Sequence, residues 1–412
     1  MKRLKFGVLG AQRGCFVLAI ARLIPDEMVV TGICDFDENA FNEHALNLFT
    51  EETKIYKSFD EMLHSGIDAV VLCNYFHEHA KYAIQAMEAG VAVFSETTAG
   101  VSLGDCVDLV EAAERTKGRY ALAANCPYIK PVHAMKKKIE DNVYGKVVYA
   151  DAEYVHRRNP DEVIPGTGQK IDYDHLHWRQ LLPATYYNMH TLGPLMYVSN
   201  SVPVKVVSKV ATVGWDPENK VTNGVKSFVI TEMDNGAVFN TTGCVGVGTS
   251  GKWYRVACEN GTMETPRHDG LEKLIETSCS TGEVKTTTYT WAGSNAITKE
   301  EELKYDEKIA SAGHGGIDFI LLLHFIKYLR GEEEPFFDVY RAAALSAAGI
   351  MAWYSVLSGS VEMSIPDFRK KEDRDRVRGD YRSPFAEKYS DITLPCKVGE
   401  PFEGAKTTGK TV

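Results

Sequence analysis

The chain has 412 residues, 44% hydrophobic and 25% charged, with a formal net charge of -10. That length suits two domains with a core each, and an acidic balance without a basic stripe excludes a nucleic-acid partner. Nine scattered cysteines with no Cys-x-x-Cys argue against a disulfide framework or a thiolate zinc site, and no apolar run reaches the ~20 residues of a membrane span; a soluble, cytoplasmic protein without a membrane partner is expected.

In chain order, the first third alternates short apolar runs with helical patterns. Leu4 to Gly10, Met28 to Asp35, Ala69 to Asn74, Val91 to Glu96 and Tyr120 to Asn125 read as strands. Glu78 to Ala89 and Leu103 to Lys117 read as helices. Unbroken apolar strands between helix-length segments predict a doubly wound parallel sheet covered on both faces. After about residue 145 the period changes to two, as in Lys146 to His156, Val202 to Val213, Ser227 to Met233, Ala237 to Thr242 and Trp253 to Cys258. Asp234-Asn235-Gly236 and Glu259-Asn260-Gly261 mark turns. This predicts an α+β domain with a large, open, mainly antiparallel sheet. Two late helices, Ile317 to Leu329 and Val339 to Leu357, are bounded by Gly331 and by Asp338 as N-cap. The expected division is 1–125 for a Rossmann-like domain, 126–368 for a substrate-binding and oligomerisation domain, and 369–412 for an irregular, charged arm.

The first strand ends in Gly7-Val8-Leu9-Gly10-Ala11-Gln12-Arg13-Gly14. Small residues at Gly10, Ala11 and Gly14 let the backbone approach a pyrophosphate, whose charge suits the free amides of the following helix. Asp35 closes the next strand, where a carboxylate accepts ribose hydroxyls and repels a 2'-phosphate, favouring NAD over NADP. Asn74, His77, His79, Glu96 and Asn125 follow the carboxyl ends of later strands and complete a candidate cofactor set with Gln12 and Arg13. His77 and His79, at i and i+2, lack a third ligand at recognisable spacing, so no metal is expected. In the second domain Tyr154 and His156 share a strand face, and Tyr187 and His190 would share a helix face. These two Tyr/His pairs could exchange protons at neutral pH, and Arg179 could clamp a hydroxyl or an anionic group.

The glycine loop, Asn74-Tyr75-Phe76-His77-Glu78-His79, the Gly-Val-x-Val-x-x-Glu strand ending at Glu96, and the long second domain resemble the Gfo/Idh/MocA oxidoreductases. That resemblance implies an NAD(P) domain joined to an open sheet that holds a sugar and often forms a homodimer or homotetramer. Typical members carry Glu-Lys-Pro and Asp-x-x-x-His. Here Thr97 and Thr98 replace Lys-Pro, and Tyr186 replaces the Asp, while His190 remains. His177-Trp178-Arg179, Tyr187 to Pro194, Gly313-His314-Gly315-Gly316-Ile317-Asp318-Phe319 and Asp338 to Ala343 are similar to motifs of glycoside hydrolase family 109 and its redox-glycosidase relatives. The resemblance implies retained NAD, oxidation of a ring carbon, elimination of the aglycone, hydration, and return of the hydride. It implies His190, Tyr187, Tyr154 and His156 as catalytic groups, and Arg179, Trp178 and His314 as contacts to a sugar or glycoside. A conventional NAD-dependent sugar dehydrogenase and a non-catalytic sugar or NAD sensor are the alternatives.

Overall fold

The computed structural model describes residues 2–157, 176–213, 226–246, 248–268 and 272–399. The chain forms two compact units: Met1–Gly100, Asp105–Ile129 and Trp291–Ala343 make one, and Val101–Gly104, Lys130–Thr290 and Ala344–Val412 the other.

The chain opens with β1 (Leu4–Leu9), α1 (Ala11–Leu23), β2 (Met28–Cys34), α2 (Glu43–Leu46), β3 (Lys54–Tyr56) and α3 (Phe59–Leu63). It continues with β4 (Ala69–Leu72), α4 (His79–Glu88), β5 (Ala92–Ser95), α5 (Leu103–Thr116) and β6 (Tyr120–Leu122). The six strands are parallel, in the order β3-β2-β1-β4-β5-β6. β4, β5 and β6 are buried throughout, which is why their apolar runs show no alternation. The strand order reverses between β1 and β4, and such a reversal opens a ligand crevice at the carboxyl ends of the strands. β3 lies at the sheet edge with Lys54 and Ile55 exposed, so it gives no periodic signal.

The second unit contains α6 (Lys130–Glu140), β7 (Val147–Arg157), α7 (Trp178–Leu181), α8 (Leu192–Ser199), β8 (Pro203–Val210), β9 (Ser227–Met233), β10 (Val238–Gly246) and β11 (Gly251–Cys258). β12 (Gly261–Glu264), β13 (Lys273–Ser278) and β14 (Val284–Thr288) follow. Nine strands run β14-β13-β12-β11-β7-β10-β9-β8-β15, with β15 (Met363–Ser364) at one edge. All pairs are antiparallel except β7 with β10. In β7 the period-two reading holds from Ala150 to Tyr154, where Ala150, Ala152 and Tyr154 are buried while Asp151 and Glu153 on the other face are partly exposed; it fails at the strand ends, where Val148 is exposed, Val155 buried and His156 exposed.

The expected boundary after residue 125 leaves out a return of the chain. α9 (Lys299–Ser311) and α10 (Ile317–Arg330) belong to the first unit. Phe325 of α10 stacks on Phe94 of β5 at 4.5 Å and meets Phe6 of β1 edge-on at 6.1 Å. Glu27 accepts from Lys304, Tyr305 and Arg330 at 2.8, 3.0 and 2.7 Å. Burial alone would raise the pKa of Glu27, but these donors hold it at about 2. The return was hidden because its partners lie about 300 positions away in the chain.

α11 (Val339–Leu357) begins as expected, with Asp338 accepting from Arg341 N at 2.8 Å. The stretch read as an irregular arm contains α12 (Lys371–Val377); its last residues, 400–412, lie outside the described residues. No helix among the described residues is long and apolar enough to cross a membrane.

Candidate functional site

Two sets of side chains stand out, one in each unit. In the first, Gly10 has φ 96°, a conformation that favours glycine. A Cβ there would lie 2.5 Å from the carbonyl of Cys73 and 2.6 Å from Asn74 N, at the end of β4. Gly14 is equally constrained, since its Cβ would meet Val8 at 2.3 Å; α1 therefore packs directly on β1. Asp35, just past β2, accepts from Ala11 N at 2.6 Å and from Asp37 N at 3.0 Å. Two buried acceptors, Oδ1 of Asn74 and Oδ1 of Asn125, have no hydrogen-bond donor among the described residues. Unsatisfied acceptors at strand carboxyl ends, beside a glycine-lined helix start, are what a dinucleotide amide and ribose would occupy. The residues present thus fit NAD.

Arg13 is the central cation of this set. Its Nε donates to Glu96 at 2.7 Å and its Nη1 to Asp318 at 3.3 Å. Asp318, in the first turn of α10, is 1% exposed and also pairs with His314 Nδ1 at 2.9 Å. Burial would raise the Asp318 pKa, but His314 and Arg13 hold it below the usual carboxylate value. Gly313 has no room for a side chain, because a Cβ would sit 2.9 Å from Asp318 Oδ2. His314, expected among the sugar contacts, is therefore placed with Arg13 and Glu96 in the first unit. Gln12 is exposed.

His77 and His79 are both held near pKa 4, chiefly by burial, with His79 contributing further to His77. The two ring nitrogens of His79 face Asn74 O and Thr98 O, each at 3.2 Å. A neutral ring has one N–H, so only one of these bonds forms at a time. The Thr97–Thr98 peptide is cis. Asn74 Nδ2 reaches Glu78 at 3.4 Å, and Glu78 makes no side-chain cap to α4. Among the described residues no group of three or more His, Cys, Asp or Glu could hold a metal ion.

In the second unit the two Tyr/His pairs form one cluster. Tyr154 on β7 stacks on His190 with ring centroids 4.5 Å apart. Tyr187 lies 4.7 Å from His190 and 6.0 Å from Tyr154. His156 runs parallel to Tyr154 at 6.4 Å. Tyr187 precedes a single 3-10 turn, Asn188–His190, so the expected α-helical face is replaced by a tighter turn that still brings both rings together. That turn is fastened from several sides. Thr185 Oγ1 donates to Gly349 O at 2.9 Å, Asn188 Nδ2 to Leu345 O at 3.2 Å, and Ser227 Oγ to Ala184 O at 3.1 Å. Tyr186 is buried and donates to Val101 O at 3.2 Å; where typical relatives of the resembled family carry an acid, this chain has a structural phenol.

Tyr254 was not singled out by sequence. Fully buried on β11, it donates to His190 O at 2.8 Å. Lys252, two positions earlier, was also missed; it pairs with Tyr154 across the ladder and places Nζ 5.6 Å from that ring. Neither carries a local signal, because both depend on the register of β11 against β7. Asp318 did lie inside a quoted motif, and its place in the first turn of a predicted helix was the available clue. Trp178 and Arg179 share α7, with the guanidinium 4.5 Å above the indole.

Comparison with known proteins bears on the family and the fold. Residues 4–124 match the Gfo/Idh/MocA model, an oxidoreductase family with an NAD-binding Rossmann fold, and residues 275–374 match the C-terminal domain of glycosyl hydrolase 109. A glycosyl hydrolase family 109 protein of Parabacteroides distasonis is 24% identical over 426 residues, covering 89% of this chain and 87% of its own. An alpha-N-acetylgalactosaminidase of Tannerella forsythia is 24% identical over 433 residues, covering 89% and 86%. Levoglucosan dehydrogenase in complex with NADH and L-sorbose shares the fold, with a TM-score of 0.71, 16% identity and coverage of 89% and 100%. UDP-N-acetylglucosamine 3-dehydrogenase of Acidithiobacillus ferrooxidans superposes with a TM-score of 0.62 at 16% identity, covering 86% and 98%. The chain thus carries an NAD-binding Rossmann region similar to that of the Gfo/Idh/MocA oxidoreductase family at residues 4–124, and a region similar to the C-terminal domain of glycosyl hydrolase 109 at residues 275–374.

Proposed function

We propose that this enzyme cleaves a glycoside by transient oxidation of a ring carbon, with NAD retained through the cycle. The observation that carries the reading is the Tyr154, Tyr187 and His190 cluster, with ring centroids 4.5 to 6.0 Å apart. It supplies proton-transfer groups in a chain whose Thr97 and Thr98 stand where typical family members carry lysine and proline. Gly10 to Gly14, Asp35, Asn74, Asn125 and Glu96 would hold the cofactor, with His77 and His79 shaping the end of β4. When bound, NAD supplies a hydride acceptor for the ring carbon and, once reduced, the hydride that restores it.

The protein's own part is proton transfer and alignment. His190, with Tyr187 beside it, takes the proton of the hydroxyl being oxidised and gives it back at the end. Tyr154 or His156 removes the proton from the neighbouring carbon, made acidic by the ketone, and protonates the departing aglycone oxygen; water then adds across the double bond so formed, its hydroxyl to the anomeric carbon and its proton to the neighbouring one, before the ketone is reduced. Arg179 and Trp178 bind the sugar. Copies of the chain would associate as a homodimer or homotetramer through the open face of the second sheet, where Tyr149, Phe228, Ile230 and Val238 are exposed. The described cysteines are free, and a cytoplasmic site of action suits them.

The test is to assay the protein as purified for bound NAD, then offer aryl glycosides while recording aglycone and NADH together. Aglycone without net NADH, with solvent deuterium entering the carbon next to the oxidised one, is the expected result. NADH accumulating without aglycone would make this a conventional sugar dehydrogenase, and sugar binding with neither product a sensor.

A further inference from the structure

We propose that the pocket beside Tyr154 is a subsite for an anionic group, a carboxylate or a phosphate or sulfate ester, carried by the sugar. This deepens the glycoside reading and rests on it for the nature of the ligand. The pocket, about 360 Å³, is lined by Tyr154, His156, Lys252, Arg267 and His268 among others, and among the described residues no aspartate or glutamate lines it. Its volume suits one monosaccharide unit.

Lys252 is the residue that points to charge. It makes no ion pair among the described residues, and across the ladder it faces a phenol, not a carboxylate. The other charged positions nearby are matched. Arg255 opposes Asp151, Lys226 reaches Glu153 at 2.9 Å, and Arg267 reaches Glu153 at 3.3 Å while stacking on Trp253 at 3.8 Å. Opposite charges across a ladder favour pairing, so a lysine without a carboxylate partner among the described residues, on a concave wall, raises the local positive potential. Tyr154 ties this wall to the proposed reaction centre through its 4.5 Å stack on His190. An anion here would accept a charge-assisted hydrogen bond from Lys252 Nζ, with Tyr154 as the floor.

The experiment is calorimetric binding to the full chain with its NAD. The probes are D-glucose and D-galactose against D-glucuronate and D-galacturonate, and against the 6-phosphate and 6-sulfate of galactose. The anionic sugars should bind about ten- to a hundredfold more tightly than their neutral parents, the span of one charge-assisted hydrogen bond. The preference should shrink as salt rises, disappear in Lys252→Met and return in Lys252→Arg. Tightest binding by the uronates names a carboxylate, and by the esters a phosphate or sulfate. Equal affinity for neutral and anionic sugars, no binding of any anionic sugar, or a full preference surviving in a folded Lys252→Met chain overturns the proposal. The glycosidase reading fails separately, when a sugar binds but its glycosides release no aglycone.

Discussion

The two units build their functional groups in opposite ways. The dinucleotide end relies on backbone shape: Gly10 and Gly14 leave no room for a Cβ, and Asp35 meets the helix start through a 2.6 Å bond from Ala11 N. The Tyr/His cluster relies on side chains brought from separate elements, β7 for Tyr154 and a 3-10 turn for Tyr187 and His190. A local loop tolerates almost no change in its own residues, whereas an assembled cluster also depends on residues that touch it from behind.

The largest expected effect lies in the cluster. His190→Ala should lower turnover by about 10²- to 10⁴-fold, the usual worth of a positioned acid or base, while NAD stays bound. Absorbance of the bound cofactor beside aglycone release checks both. Near-normal turnover would remove His190 from the chemistry and break the contrast.

Gly10→Ala should do the reverse. Alanine at this φ costs about 1 to 3 kcal/mol even before the new Cβ collides with Cys73. Cofactor content after purification should drop steeply, and fluorescence titration with NAD should show weakened binding.

A third prediction concerns acid. His77 and His79 have folded pKa values near 4, below the ordinary 6.5, so the unfolded chain binds more protons between those values. Their neutral forms favour the fold above pH 6.5, and that stability is lost as pH falls toward 4, by on the order of 3 kcal/mol for His79. Glu27, held near 2 against an ordinary 4.5, loses its contribution over a lower window, as pH falls below 4.5. Melting curves from pH 7 to pH 4 should show the decline, and His79→Gln should flatten it. An unchanged slope in that variant would remove His79 as the source.

The smallest effect probes the back of the cluster. Tyr254→Phe removes the 2.8 Å bond to His190 O and should cost about 1 kcal/mol in stability, with turnover falling less than tenfold. An effect as large as His190→Ala would show Tyr254 to be part of the chemistry.

Much of the first unit was legible because its signals are local. The glycine loop at the helix start and the unbroken apolar runs of β1, β2, β4 and β5 each carry their signal within a few residues, since burial on both faces suppresses alternation. The exposed edge strand β3 and the return of α9 and α10 gave no such signal. In the second unit the alternation of β7 and the Asn-Gly turns were readable, and so were Tyr154, His156, Tyr187 and His190 as residue types.

By itself, then, the sequence determined two domains, their sheet classes, the dinucleotide loop and the identity of the titratable groups, because periodicity and short motifs depend only on near neighbours along the chain. Only the tertiary structure decided that Tyr154 stacks on His190, that Tyr186 is buried and bonded to Val101 O, that His314 and Asp318 join Arg13 and Glu96, and that Lys252 faces a phenol across the ladder. Those relations depend on the register of β11 on β7 and on a chain return across nearly 300 residues, where contact is set by the burial of apolar faces and leaves no local pattern to read.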